Sequence, residues 1–205
     1  MSEEKAEALR QINEIKNHLV DKQTFFPYNF RATYIWAIIA ILMTFTMVPL
    51  YKMSLFYGTA VSIVFITFGF IVEGILTKKV NQSYDIEDCT LRQQFIMKNF
   101  VMMSFFLITM SVILASYSLY IPIFLLWLFM ISMGYFSIGF VLNIKYFSKM
   151  ASFNMMASVV LLAIGFINHT IEGQSSYMSI VQLFLVLGLA IMPAIIAWQQ
   201  IKEGK

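Results

Sequence analysis

Long stretches without charged residues constrain this chain more than any other feature of its sequence. The longest, Asn99–Ile144, is too long for one membrane crossing and fits two crossings with a turn between them. Similar stretches recur on both sides of it, and they are continuous, unlike the alternating strands of a membrane β-barrel. Because a bilayer core about 30 Å thick requires ~20 helical residues, the sequence predicts an all-α, polytopic transmembrane bundle of six spans. These spans are predicted within residues 32–201, at about 32–51, 53–76, 97–116, 121–143, 150–169 and 177–199.

Composition agrees with burial of most of the chain in a lipid bilayer. Hydrophobic residues make up 60% of the chain and charged residues 12%, with a mean hydropathy of +0.76. Soluble domains carry about 25% charged residues. The formal net charge of +3 is too small to indicate nucleic-acid binding. Cys89 is the single cysteine, so no intrachain disulfide and no zinc-binding thiol pair is expected.

The distribution of basic residues orients the predicted bundle. Every Lys and Arg except Lys52 falls on the tail before span one, on the C-terminal tail, or near the connections that follow spans two and four. Because Lys and Arg in short loops mark the cytoplasmic side, both termini are predicted to be cytoplasmic, in an inner or plasma membrane. A different number of spans would mix the two sides, so the same distribution supports six. The charged N-terminal segment does not resemble a cleavable signal peptide, and span one is expected to be an uncleaved anchor.

Residues 1–24 are predicted to form a cytoplasmic amphipathic helix, and residues 25–31 an aromatic linker at the membrane interface. Acidic and basic side chains are nearly balanced on this helix, whereas helices that adsorb to anionic lipid are more basic. The balance favours contact with protein, either a loop of the same chain, a second copy or another partner. The face predicted to make this contact carries apolar residues at helical spacing. They are Leu9, Ile12, Ile15 and Leu19.

The largest cytoplasmic loop is predicted at residues 77–98, between spans two and three. Asp85, Glu87 and Asp88 lie in it, but the segment lacks the Gly and the terminal Glu of a calcium-binding loop. The sequence also contains no Gly-rich phosphate loop and no combination of nucleophile and base. We therefore expect a protein that is not an enzyme and that holds no cofactor or metal.

Glu73 is the one acidic or basic residue well inside a predicted span. An ionisable group within a membrane indicates a functional site. Glu73 also lies close to the cytoplasmic end of span two, where it could pair with Lys78 or Lys79 as a boundary residue. The sequence leaves both interpretations open.

Span six carries two further candidate residues, Gln182 and Pro193. Pro193 has no N–H to bond the Leu189 carbonyl and is expected to kink the helix, which could act as a gate. In the preceding outer loop, His169 and Glu172 have the spacing of two metal ligands on a helix. They lack the third ligand of a catalytic metal site, so an ordinary polar loop is expected there.

The order of these segments resembles that of a loose group of uncharacterised small bacterial membrane proteins with six spans. The likeness lies in the charged segment Ile12–Lys16, in the aromatic residues before span one, and in Leu126–Leu128 running to Gly134. The resemblance implies a bacterial source and no particular activity.

Two functions remain open from the sequence. The first is a non-enzymatic membrane component that acts through self-association or a protein partner at the cytoplasmic face. The second is a small-solute or ion transporter or channel in which Glu73, Gln182 and the kinked span six line a path. An intramembrane enzyme would require at least two polar side chains converging in the core, and the sequence indicates no such pair.

Overall fold

A computed structural model describes residues 27–84, 89–171 and 175–203 of the chain. Within these ranges the fold is all-helical, and six helices are long and apolar enough to cross a membrane by length and composition. The predicted number of helices is therefore confirmed. The predicted amphipathic helix with its contact face, the acidic residues 85–88, and Glu172 lie outside the described residues.

Few residues separate each helix from the next, so consecutive helices run antiparallel. Five of them are continuous: α1 (Phe30–Met53), α2 (Leu55–Ser83), α3 (Leu91–Ser116), α4 (Tyr120–Val141) and α5 (Lys145–Ile167). The sixth consists of α6 (Ser175–Val186) and α7 (Met192–Glu203), joined by a π-helical turn at Leu187–Ile191. The ends of α2 and α3 extend far into the predicted 77–98 loop, so most of that segment is helical.

Helices α3, α4 and α5 end in the same kind of turn, a Schellman motif. Ser118, Asn143 and His169 each adopt a left-handed backbone, with φ of 60°, 54° and 52°. The next residue in each case donates its N–H to the carbonyl five residues earlier, at 2.9, 2.9 and 3.0 Å. These turns satisfy carbonyls at the helix ends and reverse the chain within a few residues.

Helix α4 is the most buried helix of the bundle, whereas α2 and α3 are the most peripheral. It packs closely against α5, while α1 packs against α2 and against the two parts of the sixth helix. Contacts between α2 and α3 are few, and these two helices border the cavity described below.

Basic residues are segregated to one end of the bundle, which we call the basic end. It holds every described Lys and Arg except Lys52: Arg31, Lys78, Lys79, Arg92, Lys98, Lys145, Lys149 and Lys202. α1 begins and α7 ends at this end, so the described termini share it. The side of the membrane that the basic end faces stays a prediction.

Candidate functional site

A cavity of about 150 Å³ lies inside the bundle, between α1, α2, α3 and α4 and the middle of the sixth helix. By the same measure a single water molecule needs about 10–15 Å³, so the cavity can hold a small organic molecule. Its walls are mostly apolar and aromatic. Several of its polar groups lie towards the basic end, namely Asn29, Glu73, Thr77 and Gln93.

One face of α1 forms the longest wall of the cavity. Trp36, Ala40, Met43 and Met47 recur every three or four residues and therefore lie along one side of the helix. Asn29 starts this wall at the basic end, and Met47 lies about 27 Å further along it at 1.5 Å per residue. The cavity is thus elongated, with a polar portion near the basic end and an apolar portion beyond it.

Glu73 places its carboxylate in this cavity. Trp36 Nε1 of α1 donates a hydrogen bond to Glu73 Oε2 at 2.8 Å, and the Trp36 ring packs edge-on against Phe70, with ring centroids 5.2 Å apart. Lys78 and Lys79, the alternative partners suggested by the sequence, are exposed beyond it on α2. Glu73 therefore links two helices through an aromatic donor at the wall of the cavity.

Asn29 contributes a donor that has no partner. Its Oδ1 caps α1 by accepting the Arg31 N–H at 3.1 Å, which fixes the orientation of the amide. Its Nδ2 is buried and makes no hydrogen bond, and the residue, 6% exposed, lines the cavity. A buried donor without an acceptor costs free energy. An acceptor atom on a bound molecule would remove that cost.

A cluster of buried amides closes the basic end of the cavity. Gln93 and Asn81 exchange two hydrogen bonds, at 2.9 and 2.8 Å. Gln93 Nε2 also donates to the Pro27 carbonyl at 3.3 Å, and its Oε1 accepts the Thr90 N–H at 3.0 Å. Gln93 therefore ties the segment before α1 to the end of α2 and the start of α3.

Gln182 and Pro193 do not line the cavity, although Leu185 and Leu189 between them do. Gln182 Nε2 donates to the Thr44 carbonyl at 3.1 Å, which joins α6 to α1. Pro193 is buried near the start of α7, directly after the π-helical turn. The sixth helix thus lines the cavity with apolar residues.

Pro193 accounts for the π-helical turn. The Met192 N–H bonds the Leu187 carbonyl, five residues earlier, and Pro193 has no N–H to continue this series to Gly188. The Gly188 carbonyl accepts instead from Asn154 Nδ2 of α5, at 3.0 Å. A Cβ at position 188 would lie 2.8 Å from Asn154 Oδ1, so glycine permits this approach. The bond that Pro193 cannot make is replaced by a bond between helices.

Replacing Asn154 with Ala is expected to lower the free energy of unfolding by about 1 kcal/mol, because the buried Gly188 carbonyl loses its donor. Ser152→Ala is a matched control, since the exposed Ser152 hydroxyl bonds only the Ser148 carbonyl of its own helix. Unfolding of the two variants in bicelles measures the difference. Equal stability of both variants would show that the Asn154 bond contributes nothing.

No group of three or more His, Cys, Asp or Glu residues that could hold a metal ion occurs in the described part of the chain. His169 is exposed in the turn after α5, where its left-handed backbone closes the Schellman motif.

Comparison with known proteins finds no relative of this chain. No family model, no curated protein and no solved structure matches it.

Proposed function

We propose that this chain is an integral membrane protein that binds a small amphipathic molecule in its intramembrane cavity and carries that molecule within or across the membrane. Glu73 supports the proposal most strongly, because its carboxylate lies in an otherwise mostly apolar cavity and is bonded by a donor from another helix. Ionisable groups within membrane spans are costly and mark sites of binding or transport. A group that served only as a membrane boundary would not need an indole partner on a neighbouring helix.

The proposal includes a location and an orientation. The segregation of Lys and Arg supports a cytoplasmic basic end, with both termini inside and the protein in a bacterial inner or plasma membrane. The polar portion of the cavity then lies near the cytoplasmic headgroups, and the apolar portion extends into the hydrocarbon core.

Gly74 supports access to the cavity from the side of the bundle. It lines the cavity and is also exposed on α2, and a Cβ built on it meets no atom within 4 Å. With few contacts between α2 and α3, this position offers a lateral opening towards lipid.

The opening at Gly74 allows a direct test of the proposed function. Gly74→Trp should block the opening with a bulky side chain whose Cβ meets no atom within 4 Å, while Gly74→Ala should leave it open. We expect mass spectrometry of the purified protein to detect a co-purifying small molecule in the wild type and in Gly74→Ala. Retention should fall about tenfold in Gly74→Trp, a loss of ~1.4 kcal/mol in binding. Equal retention by Gly74→Trp, or no bound molecule in the wild type, would contradict the proposal.

Contact with a protein partner through residues 1–24 stays a second proposal. It is supported by the balanced charge and the apolar face of the predicted helix, including Leu9 and Ile12. Deletion of residues 1–24 should change the oligomer or the set of co-purifying proteins. If both are unchanged, this second proposal fails while the cavity proposal stands.

A further inference from the structure

We infer that the cavity takes a single-chain amphiphile whose head carries a cationic amine next to a hydrogen-bond acceptor, with the head at Glu73 and Asn29 and the chain along α1. This inference rests on the proposed function and names the chemistry of its ligand. Three features of the cavity support it: one carboxylate, one unpartnered donor, and an elongated apolar wall.

The carboxylate of Glu73 selects the charge of the head. None of the described residues that line the cavity is Lys, Arg or His. The bond from Trp36 occupies Oε2, and no other hydrogen bond to Glu73 is found among the described residues. A carboxylate in apolar surroundings is stabilised by a cation, and aromatic rings, which Tyr28 and Phe100 contribute to the lining, attract cations as well. An ammonium group satisfies both kinds of contact.

Asn29 selects a second group on the head. Because Oδ1 is held by the Arg31 N–H, the unpartnered atom is Nδ2, which can only donate. The matching ligand atom is an acceptor, such as a hydroxyl or carbonyl oxygen. Asn29 and Glu73 line the same cavity near the basic end, so the amine and the acceptor belong to one head.

The remaining wall selects the tail. From Trp36 to Met47 the face of α1 runs about 16 Å, and this portion is also lined by Phe124, Trp127 and Leu185. Burial of an alkyl chain against these apolar side chains is more favourable than burial of a polar group there. The cavity is one elongated space between the helices, which favours one chain over the two chains of a phospholipid.

The three tryptophans of the chain report on this site. Trp36 lines the cavity beside Glu73 and Trp127 lines its apolar portion, whereas Trp198 is 56% exposed on α7. Trp198→Phe leaves the two cavity indoles as reporters. The double variant Trp36→Phe with Trp127→Phe leaves only the surface indole and is the matched control for quenching from lipid.

The probes are ω-bromododecylamine, ω-bromododecanol and ω-bromododecanoate, added to the protein in nanodiscs. We expect the amine to quench the cavity indoles saturably, at concentrations about tenfold below those of the alcohol or the carboxylate. Adding Trp127→Phe should remove most of this quenching, because the bromine lies at the tail. The surface indole should respond to all three probes alike, without saturation.

The outcomes separate this inference from the proposed function. Equal saturable quenching by all three probes would overturn the amine head and leave cavity binding intact. Quenching of Trp36 rather than Trp127 would overturn the inferred orientation of the ligand, with its head at Glu73 and its tail at Trp127. If no probe quenches the cavity indoles saturably, the proposed function fails together with the inference.

Two substitutions test the head in the same assay. Glu73→Gln should raise the half-saturating concentration of the amine to that of the alcohol. Asn29→Ser keeps a capping oxygen for α1 and removes Nδ2. Asn29→Ser should weaken about tenfold the binding of an ω-bromo amine that carries a neighbouring hydroxyl, and it should leave the binding of the plain amine unchanged. If Asn29→Ser affects both amines equally, or neither, the acceptor assignment is overturned.

Discussion

Replacing Gln93 with Leu should lower the free energy of unfolding by about 3 kcal/mol, the largest loss that we expect from a single substitution in the described residues. The Gln93 side chain is 5% exposed and bonds Asn81, Thr90 and Pro27. Leu has a similar size, but it leaves the buried Asn81 amide and the Thr90 N–H without their partners. Each buried polar group left unsatisfied costs about 1–3 kcal/mol. Reversible unfolding in mixed micelles measures the loss.

The neighbouring residue provides the control for this prediction. Gln94 is half-buried and donates one bond to the Cys89 carbonyl, so Gln94→Leu should cost about 1 kcal/mol or less. Combining Gln93→Leu with Asn81→Leu should recover part of the loss, because replacing both partners removes the unsatisfied Asn81 amide. Equal stability of Gln93→Leu and Gln94→Leu would show that the amide cluster does not hold the basic end together.

Gly139→Ala should destabilise the bundle by about 2 kcal/mol. A Cβ at position 139 of α4 would lie 2.7 Å from the backbone N of Ser148 and 3.0 Å from Phe147 Cβ in α5. Backbone atoms cannot rotate away, so the two helices must separate. Overpacking of this kind costs about 1–3 kcal/mol, more than the helix propensity gained by replacing Gly with Ala.

Gly74→Ala is the matched control, since it makes the same exchange in α2 where no atom lies within 4 Å of the new Cβ. It should be neutral or more stable than the wild type by up to ~1 kcal/mol. Thermal unfolding of both variants in the same bicelles checks the pair. If Gly139→Ala is as stable as Gly74→Ala, α4 and α5 do not approach as closely as described.

The number and approximate limits of the helices could be predicted because each uncharged stretch ends at charged or turn-forming residues. The long stretch Asn99–Ile144 is divided at Tyr117–Leu119, between the predicted spans 97–116 and 121–143, and Pro122 lies in the first turn of α4. Bilayer thickness sets the length of such helices independently of their neighbours. Hydropathy alone was therefore sufficient for the number of helices, but not for the ends of α2 and α3, which continue past charged residues into the predicted 77–98 loop.

The rotation of each helix could not be predicted in the same way. Ile38 and Ile39 are adjacent and chemically identical, yet Ile38 is 56% exposed and Ile39 is 4% exposed. Lipid tails are as apolar as a protein core, so hydrophobicity does not distinguish the two surroundings of a membrane helix. The cavity wall along α1 is consequently invisible in the hydropathy pattern.

Some residues that make polar contacts could be identified from the sequence, and others could not. Glu73 stands out as an ionisable residue in a span, but its partner Trp36 is 37 residues away in the sequence and carries no distinguishing signal. Asn154 could have been found as an amide within an uncharged stretch, and Gln93 through the capping-box pattern that begins at Thr90. The unpartnered Nδ2 of Asn29 depends on the fold and could not be inferred from residue types.

The most direct test of the cavity uses the indole N–H signals of ¹⁵N-tryptophan-labelled protein in nanodiscs. The chain has three tryptophans, so three signals are expected, and Glu73→Gln should shift that of Trp36 because it alters the bonded acceptor. Titration with dodecylamine should then move the signals of Trp36 and Trp127 saturably and leave Trp198 in place. If all three signals move in parallel, or if Trp36 and Trp127 do not move at all, the cavity does not bind this amphiphile.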